Sequence, residues 1–568
     1  MSKMSMRLLC LLLCMAFPCP ANAETANDQA LADLAGTSFE DTITDDTSAD
    51  ETISDGTNAD GTVGATIDNS TWTEQTYVAP SIDTDADLVL GYVADVNCEI
   101  NPFLCTGRDL VSLNQLVFES VIELDEDGKP SPLLADSWSV DGNVWTFTLR
   151  EGIVFHNGYS LTAYEVVSSY QRFLLAGSDN PYYTRLQMIE SMEAKDDLTL
   201  EVTSKYSGYI TLYAMTFPVV QSSTLDDSMP RGTGPYWYTQ YAPGSGVRLE
   251  NNPLWWKKDP EIQSIAAINY ADSGEALEAL STNRIDILCT QSSHAAFTRK
   301  ISDYTDMDYV TNVYEMLVPN LDESSVMSEL NIRRAVMYAI DRSELADKAY
   351  LGMGIQCEVP VNPSTWLYES QSAIFYYSPE RALQLLKNCG WSDVDNDGVL
   401  NQVDGVRLKD LEIDLITYNE STNSVRENAA NMIASYLGTV GVKVNVSVVS
   451  KARAEQRIKD GEYDLALVGV QLSDVPGATS ILKKKGALNL NGYSSETMET
   501  LAETTTTAAD DVSLKSAFSS MQMQVVEELP ILGLLFRTGT VLSRRSLAGL
   551  SGISASNMLN GIEFMEKE

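Results

Sequence analysis

Runs of β-branched and aromatic residues predict a strand at 86–93 (ADLVLGYV) and two strands joined at Glu151-Gly152 within 144–158 (VWTFTLREGIVFHNG). The apolar spacing turns helical at 161–175, where Thr162 and Glu165 occupy capping-box positions. A strand follows at 246–256, then a helix over SGEALEALSTN and a strand over RIDIL. Beyond about residue 312 the two periods alternate. A long amphipathic helix is expected at 331–350, and another at 378–390 with Ser378 as cap, Pro379 in the first turn and Gly390 just past the end. Next come a strand at 411–418, a helix at 423–441, a strand at 442–449, a helix over ARAEQRIKDG and a buried strand at 463–470. A last helix near 511–528 leads through Pro530 into an apolar run at 531–542. Such alternation builds an α/β lobe. At 568 residues the chain is too long for one compact core. Two α/β lobes with a cleft between them would form a ligand trap, because closure buries the ligand from both sides.

The formal charge of −42 argues against nucleic acid as a partner, since phosphates require a basic face. The N-terminus reads as a cleavable export signal: Lys3 and Arg7 precede an apolar core from Leu8 to Phe17, and Ala21-Asn22-Ala23 is a small-x-small cleavage site. That places the mature protein in the periplasm or at the cell exterior. Residues 24–86 read as an acidic disordered tether, in which DTITDDTSAD and ETISDGTNAD form a degenerate ten-residue repeat. Cleavage leaves Cys98, Cys105, Cys289, Cys357 and Cys389, an odd number. Cys98 and Cys105 bracket EINPFL and either close a small disulfide loop or stand as separate apolar residues.

Catalysis needs a constellation, and the sequence has two histidines, His156 and His294, with no zinc-protease, nucleophile-elbow or phosphate-loop motif. His156 reads as a structural hydrogen-bonding residue in its FHNG turn. The protein is expected not to be an enzyme and to need no cofactor. DVDNDGVLNQVD, residues 393–404, nearly completes a calcium ladder: Asp393, Asp395, Asp397, the Val399 carbonyl, Asn401 and Asp404. A helix enters this loop and a strand leaves it, and its last position is Asp where the EF-hand uses Glu. It reads as a candidate structural Ca²⁺ staple or as an Asp/Gly-rich turn that needs no ion.

SPLLADSWSVDGNVWTFTLREGIVFHNGYSLTAYEVV (131–167) resembles the signature region of the family-5 extracellular solute-binding proteins of ABC importers, which include oligopeptide-, dipeptide- and nickel-binding proteins. The resemblance continues in order through 232–256, 275–288, 332–342, 378–391, 461–469 and 527–542. It implies the two-lobed α/β clamp of periplasmic binding proteins, with an extra subdomain in lobe I. Lobe I would comprise residues 87–311 and a return at 531–568, and lobe II residues 312–530. It also implies a monomer that captures a peptide between the lobes and delivers it to permease subunits. Other solutes, such as an oligosaccharide or metal chelate, or a role as a peptide-sensing receptor, remain open. In the family's peptide binders an Asp after the buried strand pairs with the ligand's α-ammonium. The matching carboxylate in GVQLSDVPG is Asp474, with Ser473 beside it and Val470 where a Trp is usual. Thr233 and Gly234 in the GTGPY turn, Asn320 and Tyr493 are further ligand-contact candidates by the same resemblance.

Overall fold

The structure, a computed structural model, describes residues 82–300, 303–418 and 424–566. The export signal and all but the last residues of the acidic tether lie outside them. Among the described residues no helix is long and apolar enough to cross a membrane.

One eleven-stranded sheet runs through the molecule. Its centre is a pair of long antiparallel strands, Thr305–Pro319 and Leu532–Ser543. On one side of the pair Leu465–Gln471, Glu412–Tyr418 and Lys443–Val449 follow, the last three mutually parallel and covered by helices such as Val425–Thr439. On the other side come Ile287–Thr290, Leu88–Val93, Ser264–Tyr270, Gly246–Asn251 and Tyr236–Ala242. Buried strands carry continuous apolar runs, as LALVGVQ does at 465–471. A separate four-stranded antiparallel sheet, spanning 135–204 with the helix Ala163–Ala176, forms the extra subdomain.

The sheet is continuous, but the core is not. One apolar cluster extends from Val310 to Phe536. A second gathers Leu88 to Tyr309 with Val541 to Met565. The change of core falls on the long strand pair, where the register shifts between Val310 and Tyr314: four residues on one strand answer the step from Thr538 to Phe536 on the other. Such a bulge turns side chains out of the ladder, and it leaves Asn312 facing the space between the lobes.

Most elements lie where the periodicity puts them, and four details differ. The residues after Leu149 make a single bridge, Val154 to Ser160, and no second strand. The expected helix 331–350 is two helices, Leu330–Ala339 and Arg342–Lys348, broken at an extended Ile340. The break is stabilised by Asp341, whose side chain accepts from the Glu344 N–H at 2.9 Å and starts the second helix. At Thr162 the capping box does not form, because Glu165 reaches instead to the backbone N–H and hydroxyl of Ser222. A complete capping box occurs at Asp510/Ser513. Asp510→Ala should therefore cost about 1 kcal/mol, and Thr162→Ala less than about 0.5 kcal/mol. Urea denaturation of both variants checks the pair. Finally, between the acidic loop and the strand 412–418 a hairpin intervenes, Asn401–Asp404 paired with Arg407–Asp410.

Candidate functional site

A cleft of about 340 Å³ lies between the lobes. Lobe I contributes residues such as Glu119, Tyr182, Arg185 and Tyr213, and lobe II contributes Asn362, Thr365 and Asp474. The lobes touch at its margins: Trp366 donates its indole N–H to the Tyr213 hydroxyl at 3.0 Å, and Lys129 pairs with Asp511 at 2.6 Å.

Asp474 reaches the cleft because the buried strand Leu465–Gln471 ends beneath it and the following loop crosses toward lobe I, where Val475 joins that lobe's apolar core. Its carboxylate bridges the two halves. One oxygen accepts from Asn312 Nδ2 at 2.7 Å, and the other pairs with Arg185 Nη2 at 2.7 Å. The Asn362 amide in turn donates to Asn312 Oδ1 at 3.4 Å. Arg185 stands on the four-residue helix Tyr183–Leu186, stacks over the Tyr182 ring at 5.0 Å and donates to Thr216 Oγ1 at 2.8 Å. Its side chain is 10% exposed and that of Asp474 31%, so the pair is only partly desolvated and open to exchange with a ligand.

The remaining candidates sit elsewhere. Ser473 makes a turn, its hydroxyl accepting from the Val475 N–H at 3.1 Å. Val470 is buried opposite Tyr314 in the sheet of lobe II. Asn320 fastens the end of the long strand to the Gly461 and Tyr463 carbonyls. Tyr493 is buried with its hydroxyl on Glu528. Gly234 packs so closely that a Cβ there would come within 2.7 Å of the Leu116 carbonyl. Thr233 is fully buried and donates to Glu119 at 2.8 Å. Of the seven, only Asp474 lines the cleft.

Thr233 nevertheless leads to a residue the periodicity did not single out. Glu119 is 6% exposed and also receives the indole N–H groups of Trp255 at 3.2 Å and Trp256 at 2.9 Å. Burial raises its carboxyl above the ordinary glutamate value, and the donors from Trp256 and Thr233 only partly oppose that. His156 is structural, as expected: Nδ1 accepts from the Gly232 N–H at 3.1 Å, and burial pushes its imidazole down to about 3, so the ring is neutral.

The acidic loop lies outside the cleft. Carboxylate oxygens of Asp393, Asp395 and Asp397 come within 4.8 Å of one another, all exposed, and Asp404 is not among them because it belongs to the hairpin. Asn401 is buried; its oxygen accepts from the Val394 N–H and its amide donates to Asp395. Asp393 accepts from the N–H groups of Asp397 and Gly398, the latter at φ +92°. The turn therefore closes on its own hydrogen bonds. The Cys98 thiol lies 3.8 Å from the Thr106 hydroxyl, the Cys105 thiol donates to the Gly107 carbonyl at 3.8 Å, and all five described cysteines are free.

Two α/β lobes joined by a long strand pair, with charged and polar groups converging on the cleft, define a ligand-capturing clamp. The family model for bacterial extracellular solute-binding proteins, family 5 (middle region), matches residues 129–487. The oligopeptide-binding protein AppA of Bacillus subtilis is 21% identical over 488 residues, covering 82% of this chain and 88% of its own. The dipeptide-binding protein of Escherichia coli is 23% identical over 381 residues, covering 60% and 67%. Among solved structures, a nickel ABC transporter protein from Bacillus halodurans superposes with a TM-score of 0.71 at 20% identity, covering 84% of this chain and 99% of its own. AppA from B. subtilis in complex with a nonapeptide superposes with 0.58 at 20% identity, covering 85% and 98%. The chain belongs to the family-5 bacterial extracellular solute-binding proteins, which are substrate-binding components of ABC importers and not enzymes.

Proposed function

We propose that the protein captures a peptide between its lobes and presents the closed form to an ABC permease, exported behind the signal at residues 1–23. The observation that carries this reading is Asp474: a carboxylate at the end of a buried strand, oriented by Asn312 and facing the cleft. A peptide's α-ammonium can take the place of the Arg185 guanidinium on Asp474. The displaced guanidinium keeps Thr216 and becomes available to a ligand carboxylate or carbonyl. Exchange of one cation for another leaves no uncompensated charge in the closed cleft, where such a charge is strongly unfavourable. Relatives named as oligopeptide-, di/tripeptide- and dipeptide-binding proteins support the same ligand class.

Thermal unfolding in the presence of ligand libraries tests it. A peptide at 100 times its dissociation constant stabilises the native state by about 2.7 kcal/mol, and the same peptide N-acetylated is expected to give no shift. Equal shifts from free and acetylated peptides would remove Asp474 from recognition. A shift from oligosaccharides or nickel chelates with none from peptides would replace the ligand class.

A further inference from the structure

The loop between the strand Leu88–Val93 and the helix Arg108–Gln115 carries two cysteines, neither of which lines the cleft. Cys98 is half-buried and Cys105 is fully buried. The stretch between them is fastened to the rest of lobe I. Asn101 donates its amide to the Leu225 and Asp227 carbonyls, both at 2.9 Å. Asn180 donates to the Pro102 carbonyl at 2.9 Å, and the Phe103 ring packs 4.5 Å from that of Phe173. Cys105 is therefore fixed, while Cys98 stays partly open to solvent. Both sulfurs converge on the same two residues. Cys98 Sγ lies 3.8 Å from the Thr106 hydroxyl and would meet a Cβ on Gly107 at 3.4 Å, and Cys105 Sγ donates to the Gly107 carbonyl at 3.8 Å.

The two thiols are also unequal. Gly107 is the N-cap of the helix and offers no side chain to its free N–H groups. The Cys98 sulfur lies there instead. The Cys105 thiol as donor, and behind it the Thr106 and Gly107 N–H groups, favour the Cys98 thiolate over the opposition of burial and hold that thiol down to about 5. Cys98 in return holds Cys105 well above the ordinary thiol value, and burial adds to this. The thiolate is the species that attacks a disulfide, and a helix N-terminus stabilises it. One partner is thus accessible and largely ionised at neutral pH, and the other is protonated and sealed. The family is extracellular, and outside the cytosol disulfides form and persist.

We propose that Cys98 and Cys105 form a redox-active pair, in which Cys98 attacks the disulfide of another molecule and Cys105 resolves the product into an intramolecular disulfide that staples the loop. The Cys98 thiolate attacks one sulfur of R–S–S–R, the S–S bond breaks, and one RS⁻ leaves. Cys105 loses its proton and attacks the Cys98 sulfur, and the second RS⁻ leaves. The two leaving thiolates take up that proton and one from water. The pair is oxidised by two electrons and R–S–S–R is reduced to two RSH. None of this depends on which ligand the cleft takes.

The reduced full chain, treated with oxidised glutathione, quenched with acid and mapped by mass spectrometry, tests the pair. The expected product is two hydrogens lighter and carries a Cys98–Cys105 disulfide. The variant Cys105→Ser, its folding checked by circular dichroism, is expected to stop with one glutathione on Cys98. Alkylation of the reduced wild type by iodoacetamide needs no variant. From about pH 6.5 to about pH 8 the rate at Cys98 should change less than about twofold, while Cys389 should gain roughly tenfold per pH unit. A wild-type chain that stays reduced, that keeps glutathione on Cys98, or that joins Cys98 to any other cysteine overturns the inference. So does a Cys98 alkylation rate that climbs in step with that of Cys389.

Discussion

Glu315→Ala is expected to lower the thermal midpoint of the protein by about 3–5 °C, on a loss of about 3–5 kcal/mol at roughly 1 °C per kcal/mol for a folded chain of this size. Glu315 lies in the last third of the long strand Thr305–Pro319 and is fully buried. It receives Arg426 Nη2 at 2.9 Å and Arg537 Nε at 2.7 Å, and both guanidinium groups are themselves buried. Burial alone would raise its carboxyl, but the two guanidinium groups outweigh burial and hold it at about 2 against an ordinary 4.5. Removing the carboxylate leaves two buried cations with their common counter-ion gone. The pH dependence has a definite sign. Because the folded value lies below the unfolded one, the contribution is fully present above about pH 4.5 and is lost as pH falls toward 2. Circular dichroism melts of wild type and variant from pH 7 to pH 3 check both points. A variant that melts within 2 °C of wild type at pH 7 would sink the account of this triad.

Asp474→Asn carries the second large effect, on binding and not on folding. Truncating the charge of one member of a pair that closure desolvates costs about 2–5 kcal/mol, so affinity for a free-amino peptide should fall about 30-fold or more. The side chain is 31% exposed, so stability should change little. Titration calorimetry with a peptide that stabilises the wild type reads the loss directly. Undiminished affinity would show that the ammonium sits elsewhere and that Asp474 serves only to hold Arg185.

The contrast between these two acids marks how far the sequence could be read. Asp474 was singled out by the family resemblance, which matches GVQLSDVPG to the segment where the family's peptide binders carry an Asp, while the apolar run before it marks only the buried strand. Arg185, which shares its charge, was not. The two are 289 residues apart, and nothing around Tyr183–Leu186 marks the arginine as different from a surface one. Thr233 was placed in a turn of interest for a reason that the packing then changed: the hydroxyl is fully buried and supports Glu119, itself gripped by Trp255 and Trp256. The adjacent tryptophans in NNPLWW were the available hint of a buried polar partner, since a buried indole N–H needs an acceptor. The break at Ile340 was hidden by a continuous apolar period, although D-x-x-E at Asp341 to Glu344 carried the signal of a new helix start.

The sequence by itself determined the periods, and with them the succession of strands and helices, the α/β character of both lobes and the segment that carries Asp474. These depend on interactions within a few residues, where spacing dictates which face is apolar. Only the tertiary structure decided what meets across the cleft. The bulge that turns Asn312 outward, the pairing of Asp474 with Arg185 and the grip of Trp255 and Trp256 on Glu119 all join residues remote in the chain. Their proximity follows from how two cores pack on one continuous sheet, and no local period encodes that.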